Sequence, residues 1–147
     1  MSTNNVTGFG FVLSIIASNT FPVGFTFTQA SDDADAVDFP SVKFGDAAMG
    51  VNGDAIVWSR AVMIPMTLTV IPGSIDDLNL QALAKANRVS QGKNGANDII
   101  TANLTYPDKS VASLGSGVIT DAQFGKGIGS NGRLKTHTYS FMFGTVN

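Results

Sequence analysis

From residue 133 to residue 146 the chain alternates without interruption. Lys135, His137, Tyr139, Phe141 and Phe143 fall on one parity; Leu134, Thr136, Thr138, Ser140 and Met142 fall on the other. A period of two belongs to a pleated strand with one face buried. The same period runs through 21–29, where Phe21, Val23, Phe25 and Phe27 share a parity, through 56–71, and through 98–106. The stretch 7–17 is apolar and β-branched, reads as a further strand, and is joined to 21–29 by a turn. Pro65 cannot donate to a ladder, so it marks an edge or a bulge. One segment breaks the pattern. After Pro72-Gly73, Ser74 can cap a helix with Asp77 three residues on, and 75–91 is rich in Leu, Ala and Gln. The expectation is an α+β fold, mainly β: an antiparallel β-sandwich or barrel with one flanking α-helix and a long protruding loop, as a single domain over 1–147.

That loop is 30–55. It carries Asp32, Asp33, Asp35 and Asp38, then Pro40, Gly45, Gly50 and Gly53. It is too long for an ordinary connection, so it either holds a protruding hairpin or orders against a neighbour. Phe39, Val42 and Phe44 give it apolar anchors that a purely solvated loop does not need. All 11 acidic residues are Asp, and they are unevenly placed. Residues 1–59 hold six Asp against Lys43 alone, a balance of −5; residues 60–147 hold eight Lys and Arg against five Asp, a balance of +3. The split suits a head-to-tail contact between subunits. Its candidate acidic side is Asp32, Asp33, Asp35 and Asp38, and its candidate basic side is Lys126, Arg133 and Lys135 around a Gly-rich loop. The bland alternative is an acidic loop and chance.

Motifs for catalysis or cofactor binding do not assemble. His137 is the only histidine and there is no cysteine, so a metal site or a triad lacks its usual parts. The Asp-rich loop fails the calcium-loop pattern, since Asp38 and Phe44 stand where Gly and Glu are needed. Gly125-Lys126-Gly127 lacks the Ser or Thr of a phosphate loop and precedes a strand. No catalytic residue, cofactor or metal is expected. Trp58, the only tryptophan, suits an interface or a core equally. The N-terminus lacks a basic signal-peptide start, and no stretch suits membrane insertion.

Charged residues make up only 14% of the chain, which favours a surface that is largely covered on assembly. At this point a resemblance carries weight. The passages RAVMIPMTLTVIPGSIDDLNLQAL and DIITANLTYPDKSVASLGSGVITDAQFGKGIGSNGRLKTHTYSFMFG, with the early acidic loop, resemble tail tube proteins of contractile-tailed bacteriophages. The closing RLKTHTYSFMFG is the most specific part. The resemblance implies a virion protein whose subunits form rings, expected to be hexameric, that stack into a hollow tube. It implies that one sheet lines the passage through which DNA leaves, without specific binding. It further implies contact with sheath, baseplate and tail terminator, and assembly in the host cytoplasm. The secretion tube of the type VI system shares the fold and is one alternative. A monomeric β-barrel that binds a small ligand is another.

Overall fold

The computed structural model describes residues 6, 8–27, 30 and 35–147. Asp32 and Asp33 therefore lie outside the described residues. The alternating segments form the expected sheet. Its strands are β1 (Val12–Ala17), β2 (Phe21–Phe27), β3 (Val37–Asp38), β6 (Ile64–Val70), β7 (Ile100–Thr105), β8 (Val111–Asp121) and β9 (His137–Val146). They pair in the order β2-β1-β7-β8-β9-β6-β3, every pair antiparallel. A separate ribbon joins β4 (Gly45–Met49) to β5 (Ala55–Ser59). Helix α1 (Ile75–Asn87) follows β6.

Alternation decides what is buried. Leu13, Ile15 and Ala17 of β1, Met66, Leu68 and Val70 of β6, and Ile100, Ala102 and Leu104 of β7 all turn inward. So do Tyr139, Phe141 and Phe143 of β9, as their parity requires. The sheet curls round this set, and Leu80 and Leu83 of α1 complete it. Burying one such side chain contributes about 1.5–3 kcal/mol. The inside of the curl is thus filled by side chains, which counts against a ligand-holding barrel.

Several expectations need correction. Segment 56–71 is two strands: β5 belongs to the ribbon and β6 to the sheet, with a break at 60–63. Pro65 lies where β6 pairs with β9 but has no β3 partner, because β3 reaches only Thr67 and Leu68. That is the edge position its missing N–H demands. The helix stops at Asn87, not at 91, because Arg88 is already extended (φ −79°, ψ 128°). Val23 is 95% exposed and leaves the face it was assigned with Phe21, Phe25 and Phe27. The β1–β2 register shifts between Ile15 and Ala17, and Gly24 takes φ +84°, so parity is lost there.

Candidate functional site

Side chains that would count as catalytic candidates turn out to be structural clasps. His137 is buried, and its Nδ1–H donates to Asp77 Oδ1 at 2.7 Å. Tyr139 donates its hydroxyl to the same oxygen at 2.7 Å, and Gln81 donates to Tyr139 at 2.7 Å. The Gly73 amide reaches Asp77 Oδ2 at 2.9 Å. The arrangement ties the first turn of α1 to β9. Burial alone would raise the Asp77 pKa, but the hydrogen bonds from Gly73, His137 and Tyr139 outweigh it and hold the carboxyl below its ordinary value. Burial and the Asp77 carboxylate push the Tyr139 hydroxyl well upward. Ser74 caps as expected, accepting from the Asp77 amide at 3.2 Å.

A second clasp gave no sequence signal. Asp98 accepts from the Asn19 amide at 2.7 Å, the Thr20 amide at 2.9 Å, the Thr20 hydroxyl, and Asn87 Nδ2 at 2.8 Å. Its own amide donates to Asn87 Oδ1 at 2.9 Å. One carboxylate thereby joins the β1–β2 turn, the end of α1 and the start of β7. Burial opposes its ionisation, yet these donors keep its pKa lowered. Among the described residues no group of His, Cys, Asp or Glu could hold a metal ion, and no helix is long and apolar enough to cross a membrane.

The groups that remain for function are on surfaces. First, the β4–β5 ribbon stands off the sheet. Its base closes where the Arg60 amide donates to Phe44 O at 2.9 Å, and its turn closes where Gly50 donates to Asp54 O at 2.7 Å. Asp46 pairs with Trp58 and Ala48 with Ile56, so Trp58 and Ile56 share one side. Met49 and Val57 lie on the other parity. All four are exposed, Val57 by 75%. A lone two-stranded ribbon is marginal in water, so one that is apolar on both sides needs a partner. Phe44 is also exposed, Phe39 is marginally so, and Val42 is half-buried; none of the three belongs to the core, so the anchors hold little of their own subunit.

Second, the outer face of the sheet is polar and nearly uncharged. Ser14, Thr26, Thr101, Asn103, Ser113, Thr138 and Ser140 share it with Val12, Ile16 and Met142. None of the seven strands contains a Lys or Arg.

Third, charge is segregated by position. Asp35 borders a depression with Phe11, Leu104 and Tyr106, at the C-terminal end of β7. The expected basic residues gather at the other end, where β8 leaves the sheet. Lys126, Arg133 and Lys135 share one narrow loop hairpin, closed by Lys135 N–H to Gly127 O at 2.8 Å and Gly129 N–H to Arg133 O at 2.8 Å. Three further cations, which sequence reasoning did not single out, cluster beside them. Lys85, Arg88 and Lys93 border a cleft with Phe124, and Arg88 lies 5.8 Å from the Phe124 ring centroid. Within this subunit the acidic and basic sets stand apart.

Comparison with known proteins agrees with this picture. A family model described as tail fiber protein gp32 matches residues 4–147. No curated protein matches the chain. Among solved structures, a chain of the extended sheath-tube complex of the extracellular contractile injection system PVC is similar at TM-score 0.60 and 12% identity, covering 99% of this chain and 97% of that one. A chain of the anti-feeding prophage baseplate gives 0.59 and 11%, covering 100% and 96%. A chain of the anti-feeding prophage tube-terminating cap gives 0.55 and 13%, covering 100% and 92%. At such identities the likeness is one of fold, and it bears out the expected resemblance to the tail tube fold.

Proposed function

The chain belongs to the family described as tail fiber protein gp32, and from that premise we propose that it is the tube subunit of a contractile phage tail. The family description speaks of a fiber, but the fold is that of chains from sheath-tube, baseplate and cap assemblies. The observation that carries the tube reading is the β4–β5 ribbon, apolar on both sides and unsupported by its own sheet. As an arm laid on a neighbouring subunit it gains the cover it lacks. Rings, expected to be hexameric, would bury the exposed edges of β2 and β6 by lateral contact. Stacking of rings is a heterologous contact and extends without limit. The cation-free sheet face suits the lumen: phosphate contacts supply most non-specific DNA affinity, and a conduit must release what passes.

In this reading the domain spans 1–147 and acts in the virion tail after assembly in the host cytoplasm. Ile75 and Leu78 of α1 are exposed, whereas Leu80 and Leu83 are buried. The exposed pair would face a sheath-type partner outside the ring, and a terminator would close the last one. The acidic set Asp32, Asp33, Asp35 and Asp38 would meet a basic face of the next ring. Electron microscopy of the purified protein at rising concentration tests the proposal. Hollow tubes of uniform width are expected. Persistence as a monomer at every concentration and salt would refute it.

A further inference from the structure

The tube reading leaves open which cations receive the acidic segment. We propose that the cleft formed by Lys85, Arg88, Lys93 and Phe124 is the socket for residues 32–38 of a second copy of this chain. The inference rests on the tube reading and adds to it the place of the contact.

Three observations converge. The first is lack of neutralisation: no carboxylate pairs with Lys85, Arg88 or Lys93 among the described residues, whereas Lys43 is paired with Asp46 at 3.2 Å. The second is rigidity. The Lys93 ammonium donates to the carbonyls of Lys85 and Arg88, which fixes it over the end of α1. Arg88 lies against the Phe124 ring, and Asn87 beside it is held by the Asp98 clasp. The cations are thus presented by an ordered helix end, whereas Lys126, Arg133 and Lys135 ride on a Gly-rich loop. The third is direction. The cleft adjoins Ile119, Thr120, Asp121 and Ala122, where β8 runs out of the sheet. Asp35 sits by Leu104 and Tyr106, at the opposite end of β7, and Ile100 at the near end pairs with Gly117. One copy cannot bring its own segment to its own cleft. Copies stacked head to tail can.

The occupant follows from composition. The segment offers Asp32, Asp33, Asp35 and Asp38 within seven positions, and then Phe39, an apolar side chain for the Phe124 side of the cleft. Carboxylates on Arg and Lys donors make charge-assisted hydrogen bonds that favour one stacking polarity.

A charge-swap in the full-length chain tests this. One variant carries Lys85→Asp and Arg88→Asp; the other carries Asp32→Lys, Asp33→Lys and Asp35→Lys. Circular dichroism melts first establish that both are folded; Lys85→Gln with Arg88→Gln is the milder stand-in if the first is not. Each charge-reversed variant alone places like charges together and should elongate at least about tenfold more slowly than wild type. An equimolar mixture should elongate again, because each cleft then meets a segment of opposite sign. The Gln stand-in should elongate slowly and lose the salt dependence shown by wild type. Wild-type elongation by either cleft variant overturns the socket, as does failure of the mixture to recover. Recovery of the Asp→Lys variant by Lys126→Asp with Arg133→Asp, and not by the cleft variant, overturns it in favour of the loop. A cleft variant that builds normal tubes but loses an external acidic partner also overturns it. In all these cases wild-type tubes still form, so the tube reading stands; if wild type forms none, the tube reading itself fails.

Discussion

The floor of the sheet and the β4–β5 ribbon treat the hydrophobic effect in opposite ways. At the floor, carboxylates are buried: Asp77 and Asp98 are each 2% exposed and surrounded by donors. On the ribbon, Ile56, Val57 and Trp58 face water. A buried polar group costs free energy unless its partners are fixed, so the floor is a region completed within one subunit. An exposed apolar ribbon gains nothing from its own chain. The difference separates what the chain needs in order to fold from what it presents to others.

The largest effect should come from breaking the floor. Asp98→Ala removes the acceptor of two backbone amides, a hydroxyl and an amide side chain at once. Leaving such donors unmet costs about 1–3 kcal/mol for each one that water cannot reach. We expect a loss of about 3 kcal/mol in denaturant unfolding. A loss below about 1 kcal/mol would mean that water replaces the carboxylate, and that the floor is less closed than its burial indicates.

How much of this was legible beforehand differs between the two regions. The inward set of β9, the Ser74 cap and the single helix follow from parity and capping alone, because those rules are local. The ribbon was visible only as an over-long loop: Ile56, Val57 and Trp58 look like the start of a core strand, and nothing local shows that the chain turns into the sheet only after Met63. Asp98 was invisible, since its partners Asn19 and Thr20 lie about eighty positions away. Gly117 likewise reads as a strand breaker. In the structure a Cβ there would stand 2.3 Å from the Phe143 ring, so the residue makes room for the core. The cleft of Lys85, Arg88 and Lys93 was masked by helix logic, which already accounts for basic residues near a helix C-terminus.

An intermediate effect is expected from acid. Asp77 and Asp98 both have folded-state pKa values below the ordinary carboxylate value. The stability they contribute is present above their unfolded pKa and is lost as pH falls through the lowered folded values. Thermal melts should therefore hold steady near neutrality and drop once pH passes below the ordinary carboxylate range. Asp98→Asn removes one of the two titrating groups, so its melting temperature should start lower and fall less steeply over the same range. An unchanged slope would assign the acid sensitivity to other carboxylates.

The smallest effect on the subunit should come from the ribbon, and it sharpens the comparison most. Trp58 is 48% exposed and pairs across the ribbon with Asp46, outside the core. A surface substitution away from caps, cavities and clasps normally changes stability by no more than about 0.5 kcal/mol. Trp58→Ala should thus leave the unfolding midpoint of the isolated subunit almost in place, although tryptophan is among the largest side chains a core can lose. In the tube reading the same change should be severe for assembly, since buried tryptophans are frequent hot spots and truncating one commonly costs about 2 kcal/mol or more. The two measurements are made on one preparation: chemical unfolding of the monomer, and tube growth followed by light scattering. A large loss of monomer stability would place Trp58 in its own subunit's fold and dissolve the contrast between floor and ribbon. A stable monomer that also polymerises at the wild-type rate would leave the ribbon's exposed face without an assembly role, and the arm would then have to be sought on the Val57 and Met49 side.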